Sequence, residues 1–473
     1  MKKTPSGIMV ILLLTSTLIV AFNIQAAVSS EPPATEWTRT YGGANDEGGG
    51  TGYEGNSVVQ TCDGGYAIAG YTSSFGAGNW DVYLVKTDWT GNMQWNKTYG
   101  GANDDYACSV VQTCDGGYAI AGATRSFGAG NWDSWLVKTD AVGNMQWNQT
   151  YGGTRGDSTY SIVQTYDNGY VLAGGVDSFG AGSSDFWLIK TDANGNVMWN
   201  RTYGGARDDD AFSVIQACDG GYALAGKTTS FNAGSDDDFW LVKTNSTGHE
   251  QWNKTYGGQD QEYAYSVVQT SDGGYALAGY TESFGAGLKD FWLVKTDSVG
   301  SMQWNGIYGD TNEDDANWVV QTEDEGYALT GATKSFGTGG WDFWLIKLAP
   351  VEIPSTVDID PDTLNLKSNG QWITAYIELP EEYSVSEIDV FSILLNGSIG
   401  VDPEAPMAIG DHDTDSVPDL MAKFERAAVI ALLGTHDYGE DTGKSVDVAL
   451  VITGEAAGMP FEGVDTIRVL LKG

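Results

Sequence analysis

AYSVVQTSDGGYALAGYTESFGAGLKDFWLVKTDSVGSMQW, residues 264 to 304, is the cleanest copy of a unit that the chain writes six times. Trp37, Trp95, Trp147, Trp199, Trp252 and Trp304 close successive copies and fall about 52 residues apart, with one longer first interval. A period of that size marks stacked units, because one unit cannot bury its own apolar faces without a neighbour. Within the quoted copy, SVVQT alternates about one apolar face and the Asp-Gly-Gly turn reverses the chain. YALAGYT follows, with small residues at Ala276, Ala278 and Gly279 that suit a crowded position. DFWLVKTD is nearly continuously apolar, which predicts a strand covered on both faces. A second glycine turn then leads to a fourth strand that begins at the Trp.

Four short antiparallel strands per unit predict a β-propeller blade. The chain therefore reads as all-β, with residues 36–348 forming a six-bladed β-propeller. Its ends support closure: the first recognisable piece is a lone outer strand, Glu36 to Tyr41, while the last copy stops after its third strand, Trp341 to Leu348. Joining the two completes the sixth blade and hides two sheet edges. Proline cannot donate to a strand ladder. All 11 prolines lie outside residues 34–349, and 16 of the 17 tryptophans lie inside, so both counts mark the same block.

Outward from the repeats, Lys2 and Lys3 precede an apolar run from Ile8 to Phe22 and small residues at Ala26 and Ala27. That layout predicts a secretory signal peptide over residues 1–27, or an uncleaved N-terminal anchor, followed by a leader over 28–35. No other membrane span is expected. The chain has 63 acidic and 24 basic residues, a formal charge of −39, which excludes nucleic acid and anionic membrane as natural partners, since both need a basic footprint. Four cysteines are too few for a disulfide scaffold. Cys62, Cys114 and Cys218 share one slot in different copies, too far apart to bridge.

Residues present in every copy read first as framework. Asp81, Asp133, Asp185, Asp238, Asp290 and Asp342 open the third strand, and Lys86, Lys138, Lys190, Lys243, Lys295 and Lys347 follow five positions later. One active site needs a unique constellation, so six identical sets predict hydrogen bonds or ion pairs inside blades, with buried charges paired. A ligand is better sought where the copies differ. The loops between blades carry Asp104, Asp105, Asp157, Asp208, Asp209, Asp210, Asp260, Glu262, Glu313, Asp314 and Asp315, and the first copy inserts DEGGGTGYEG at 46–55. The loops between second and third strands add Trp80, Trp132 and Trp341. Carboxylates beside aromatic planes can hold sugars or cations, so a surface glycan or protein ligand is the expected partner. The oligomeric state stays open.

The motifs DGGYALAG, SFGAG and WLVKTD give the units a family resemblance. They look like the tandem repeats of secreted archaeal and bacterial cell-surface proteins, and the resemblance implies a β-propeller, export, and a surface or adhesive role without a catalytic set. The turn also resembles the Asp-box of sialidase-like propellers at Thr270, Asp272 and Gly274, but Leu277 stands where an aromatic belongs. The arginines of the block, Arg39, Arg125, Arg155, Arg201 and Arg207, do not recur at a matching slot as a sialidase arginine cluster would. With His249, His412 and His436 the only histidines, a His-based metal centre or triad in the repeats is excluded. Glycoside hydrolysis needs only two carboxylates, so a polysaccharide-active enzyme remains the alternative to a non-catalytic binding or structural protein.

Asn96, Asn148, Asn200 and Asn253 each follow the closing Trp in an Asn-x-Thr sequon, which marks them as glycosylation candidates on an exported outer strand. After a linker at 349–356, residues 357–473 read as a small β-sandwich, with a short helix possible between Met421 and Leu433. Asp411, Asp413, Asp415 and Asp419 form a D-x-D-x-D-x-x-x-D loop whose alternating oxygen ligands can wrap one Ca²⁺. The loop resembles those of dockerins, thrombospondin-type repeats and EF-hands. It departs from the EF-hand at Ser416, in place of the turn Gly, and at Ala422, in place of a bidentate Glu, so a structural rather than sensing role is expected. The whole domain also looks like a module found at the ends of secreted microbial proteins.

Overall fold

The computed structural model describes residues 37–46, 57–231, 236–337, 340–350, 352–380, 383–434, 445–457 and 459–470. The signal and leader segments, most of the first-copy insertion and His436 lie outside them. The described chain is all-β apart from one 3-10 turn and one helix, Arg426–Gly434. No helix among these residues is long and apolar enough to cross a membrane.

The first repeat forms a four-stranded antiparallel sheet from Ser57–Gln60, Tyr66–Thr72, Asp81–Thr87 and Met93–Tyr99, in sequential order. Four more sheets of the same order begin at Asp105, Asp157, Asp209 and Glu262, and end at Tyr151, Tyr203, Tyr256 and Tyr308. The sixth has three strands, Asp314–Gln321, Tyr327–Thr333 and Asp342–Leu348. Second and third strands of sheets two to five are buried throughout, as their unbroken apolar runs predict. In sheets two to six, first and second strands lose register once, leaving Cys108, Tyr160, Phe212, Tyr265 and Asn317 as the extra residue of a bulge. Glycine makes room for it: a Cβ on Gly279 would lie 1.7 Å from the Tyr263 carbonyl oxygen.

Each sheet buries its face against the next. Ala67, Ala69, Val82 and Leu84 of sheet one share a core with Val110, Tyr118, Ile120 and Trp135 of sheet two, and equivalent cores join each following pair through sheet six. Fourth strands add two fixed contacts to the following sheet. Trp95 meets Tyr118 edge-on at 5.7 Å, and the Tyr99 hydroxyl donates to the Gly143 carbonyl at 2.7 Å. Tyr151, Tyr203 and Tyr256 repeat that bond on Gly195, Gly248 and Gly300.

The N-terminal piece differs from its predicted form. Trp37–Tyr41 forms no strand. It nevertheless occupies on sheet one the seat that a preceding fourth strand occupies elsewhere, with Trp37 5.8 Å from Tyr66 and the Tyr41 hydroxyl donating to the Gly91 carbonyl at 2.6 Å. Sheet six lacks a fourth strand among the described residues, and its outward side is open. Phe343 is wholly exposed and Leu345 59% exposed, whereas their counterparts Phe291 and Leu293 are fully buried.

Beyond the repeats, two sheets pack over one core. One holds Ile388–Leu395, Ser445–Ala456 and Met459–Leu470, and the other holds Thr356–Asp360, Trp372–Glu378, Asp419–Glu425 and Ala408–Gly410. Alternate residues such as Ile373, Ile377 and Phe424 meet Ile393, Leu450 and Ile467, and the helix adds Val429 and Leu433.

Candidate ligand face

The residues common to the copies turn inward. Lys86 does not meet Asp81; its ammonium donates to Asp63 of the Asp-Gly-Gly turn at 2.8 Å and to the Thr87 carbonyl at 2.7 Å. Lys138, Lys190, Lys243, Lys295 and Lys347 pair with Asp115, Asp167, Asp219, Asp272 and Asp324 in the same way. Hydrogen bonds from Lys86 and Thr61 hold the Asp63 carboxyl down at about 2. Asp81 instead accepts the Ala77 and Gly78 N–H groups at 2.9 and 2.8 Å, fixing the glycine loop before its own strand. The expected pairing within sheets is met by partners that the five-residue spacing did not indicate.

The acidic residues proposed as a ligand set divide in two. Asp105, Asp157, Asp209, Glu262 and Asp314 are all but fully buried. Each opens a first strand opposite the last residue of the second, and Asp105 accepts from the Thr124 hydroxyl, the Ser126 hydroxyl and the Gly101 N–H. These five hold loop to hairpin inside the molecule, which corrects their placement on a ligand face. Their sequence neighbours carry the exposed charge: Asp208 and Asp260 are exposed, and Asp104, Asp210, Glu313 and Asp315 are half-buried.

Those neighbours meet the tryptophans at one end of the sheets. Strand register places the start of the first strand, the end of the second and the start of the third side by side, as in Asp105, Thr124 and Asp133. Parallel bridges Trp132 to Gly156, Ser184 to Asp208 and Lys289 to Glu313 set that end of one sheet beside the next. Here the copies diverge. In sheet one Tyr71 stacks on Trp80 at 4.9 Å. In sheet two Trp132 lies edge-on to Tyr106, with the Arg125 guanidinium 4.3 Å from its centre and 3.3 Å from Asp104. In sheet four the Lys227 ammonium lies 3.3 Å from Asp237 and 3.8 Å from Asp210, while Tyr263 donates to Asp237 at 2.8 Å and Ser184 to Asp210 at 2.7 Å. Burial pushes the Asp210 carboxyl up, against the Ser184 hydrogen bond and the Lys227 charge. Lys289 sits 3.8 Å over Tyr280 and 3.9 Å from Asp315, and Lys334 sits 4.4 Å over exposed Trp341 and pairs with Glu313.

Sequence reading missed the basic half of this face and the aromatic wall behind it. Tyr160 packs on both Tyr71, Tyr106 and Cys108 on one side and Phe212, Tyr263 and Tyr280 on the other. The signal was present in the positions beside Trp80 and in the bulge residues, which vary between copies as the acidic loops do.

The sequon asparagines are exposed on fourth strands. Asn148 and Asn253 accept the indole N–H groups of Trp135 and Trp240 at 3.1 and 3.3 Å, and Asn305, outside any sequon, does the same for Trp292 at 3.2 Å. The asparagine therefore has a packing reason to recur, while its Nδ2 stays on the outside.

In the C-terminal unit, Asp411, Asp413 and Asp419 bring one carboxylate oxygen each within 4.8 Å of one another, and Glu378, Asp413 and Asp415 do likewise. Thr414 and Ser416, at φ 67° and 83°, coil the loop. Glu378 was not legible in the sequence, because only strand pairing sets it opposite Asp419. Burial and the Asp415, Asp413, Asp419 and Asp411 charges all push its carboxyl up. An all-oxygen, strongly anionic donor set fits a hard divalent cation such as Ca²⁺.

No family model matches the chain. A curated relative, the regulatory protein FlaEY of Caulobacter vibrioides, is 27% identical over 196 residues, a match spanning 37% of this chain and 20% of the relative. Among solved structures, Sqt1 from Chaetomium thermophilum aligns over 88% of this chain and 95% of its own at 11% identity and TM-score 0.35. Endo-1,5-α-L-arabinanase from Thermotoga petrophila aligns over 88% and 97% at 10% identity and TM-score 0.31.

Proposed function

We propose that the chain is an exported, non-catalytic cell-surface binding protein whose divergent loop face takes a glycan or another surface ligand. One observation carries this reading: what the copies share is spent on internal pairs, and what they do not share gathers at one end of the sheets as aromatics beside fixed carboxylates and cations. Aromatic planes stack on the C–H faces of sugars, and preorganised charged partners satisfy hydroxyls. Replacing Trp80, Trp132 and Trp341 together by Ala is expected to lower affinity for a bound polysaccharide at least tenfold while the fold is retained at a lower melting temperature, since Trp341 is exposed and Trp80 and Trp132 lie half-buried at the edge of the Tyr71 and Tyr106 cluster. Binding by this variant equal to that of the parent would sink the proposal. Release of reducing ends from the same polysaccharide panel would instead favour the carboxylate-based hydrolase, with half-buried Asp210 as its acid.

The repeats are proposed to close as six blades, Trp37–Tyr41 pairing with Asp342–Leu348. The seat of Trp37 and Tyr41 on sheet one supports this, as does the open side of sheet six. In the C-terminal unit Asp411, Asp413, Asp415, Asp419 and Glu378 would hold Ca²⁺, which would neutralise the crowded carboxylates and fix the loop. Glycans on Asn96, Asn148, Asn200 and Asn253 would decorate the outer strands; intact mass of native material should exceed that of the bare processed chain, and an equal mass would refute it.

A further inference from the structure

The junctions between sheets bury acidic pairs that the ligand face does not use. At the last of them, Asp290 opens the third strand of sheet five and Asp314 opens sheet six, with 1% and 0% of their surface exposed. Asp290 Oδ1 and Asp314 Oδ2 lie 1.9 and 2.8 Å from the point that a Cβ on Gly309 would occupy, so the two oxygens crowd one small space beside a glycine hydrogen. Asp314 accepts from four donors: the Thr333 hydroxyl, the Ser335 N–H and hydroxyl, and the Asp310 N–H. Asp290 Oδ2 accepts the Ala286 and Gly287 N–H groups at 3.1 and 3.0 Å. Its Oδ1 is buried with no donor. The arrangement recurs: Asp81 and Asp105 flank Gly100 at 2.0 and 2.7 Å, Asp133 and Asp157 flank Gly152 at 2.7 Å each, and Asp185 and Asp209 flank Gly204 at 2.1 and 2.8 Å.

Two ionised carboxylates this close and this dry repel strongly, and one proton between them turns the repulsion into a hydrogen bond. A metal ion fits less well. Asp290 Oδ1 is the one oxygen of the pair without a donor, whereas Ca²⁺ takes six to eight oxygens. We infer that each junction binds one proton, with the loop-capping aspartate as the neutral donor and the strand-opening carboxylate as its acceptor. Of the charged groups on the elements around Asp290, Asp314 and Asp310 are the ones acting on it. Lys289 lies over Tyr280 and beside Asp315, and Lys334 pairs with Glu313.

Burial pushes the Asp290 carboxyl above the ordinary carboxylate range, the Gly287 and Ala286 N–H groups oppose it, and the Asp314 and Asp310 charges add to it. Asp81, Asp133 and Asp185 are pushed up by the same causes. A folded-state value raised above the unfolded one stabilises at low pH, and that stability is lost as pH rises through the folded value. The sheets should therefore loosen from one another on the alkaline side of that titration.

Asp290→Asn, whose amide can donate to Asp314 as the proton would, is the test, with Asp133→Asn as a second junction. In full-length protein melted from about pH 4 upward, the parent's melting temperature should fall with rising pH more steeply than that of either variant, the gap reaching a few degrees. Infrared spectra of the parent should show a protonated carboxyl stretch that persists above the ordinary carboxylate range and that each variant reduces. Parallel pH curves with no such stretch would overturn the inference. So would a rise in melting temperature with added Ca²⁺ that Asp290→Asn abolishes, since that would make the junction a cation site.

Discussion

Deleting the chain through Tyr41 is expected to lower the melting temperature of the repeats by on the order of 10 °C and to promote aggregation. Trp37 and Tyr41 contact sheet one just as Trp95 and Tyr99 contact sheet two. The segment takes the seat of a preceding fourth strand, and among the described residues sheet six is the repeat sheet that lacks one, so pairing of the two is the expected arrangement. Carrying over the register of Leu84 with Lys97 sets Leu345 opposite Arg39. Cysteines at those two positions, with the native cysteines replaced by serine, should form a disulfide within one molecule, because directly paired strand positions bring Cβ atoms within bonding reach. Trp37→Ala alone should cost about 2–3 kcal/mol, less than a fully buried tryptophan would because the ring is only partly covered. Stability unchanged by the deletion, or cross-links only between molecules, would show that the ring does not close on its own N-terminus. A junction between sheets six and one would not copy the others. Trp318 stands where Ser57, Ser109, Ser161, Ser213 and Ser266 accept an N–H from the next sheet.

Chelating Ca²⁺ should lower the melting temperature of the C-terminal unit by about 10 °C. A ligand at a hundred times its dissociation constant adds about 2.7 kcal/mol, and a unit of this size loses several degrees per kcal/mol. Asp413 belongs to both carboxylate groups, so Asp413→Asn should abolish the response to Ca²⁺ while leaving the sandwich core untouched. Its place in an exposed loop keeps the variant foldable. Glu378→Gln should weaken the response rather than remove it. Superimposable melts with Ca²⁺ and with chelator would leave the loop as an acidic turn.

Much of the frame was legible because it obeys local rules. Alternation in SVVQT, the Asp-Gly-Gly turn and the apolar DFWLVKTD run place strands and reversals without tertiary information. What escaped depended on pairing between distant strands. Nothing in the spacing of Asp81 and Lys86 says that the lysine reaches back to Asp63 or that the aspartate turns to its own loop. Adjacent acids such as Asp104 and Asp105 look alike in sequence, yet the strand pleat sends one inward to Thr124 and leaves the other beside Arg125. The same alternation separates Asp209 from Asp210, so a run of three aspartates at 208–210 holds one framework residue and two members of the face.

The central claim is that the divergent end of the sheets is a ligand surface and the shared residues are its frame. A glycan array probed with the full-length chain, with and without Ca²⁺, tests this most directly when the Trp80, Trp132 and Trp341 triple variant and Lys138→Met are run beside it. The expected result is selective binding by the parent, loss in the triple variant although it remains folded, and retention in Lys138→Met despite a lower melting temperature. Binding to no glycan or surface polymer, or binding that survives in the triple variant and disappears with Lys138→Met, would contradict the account.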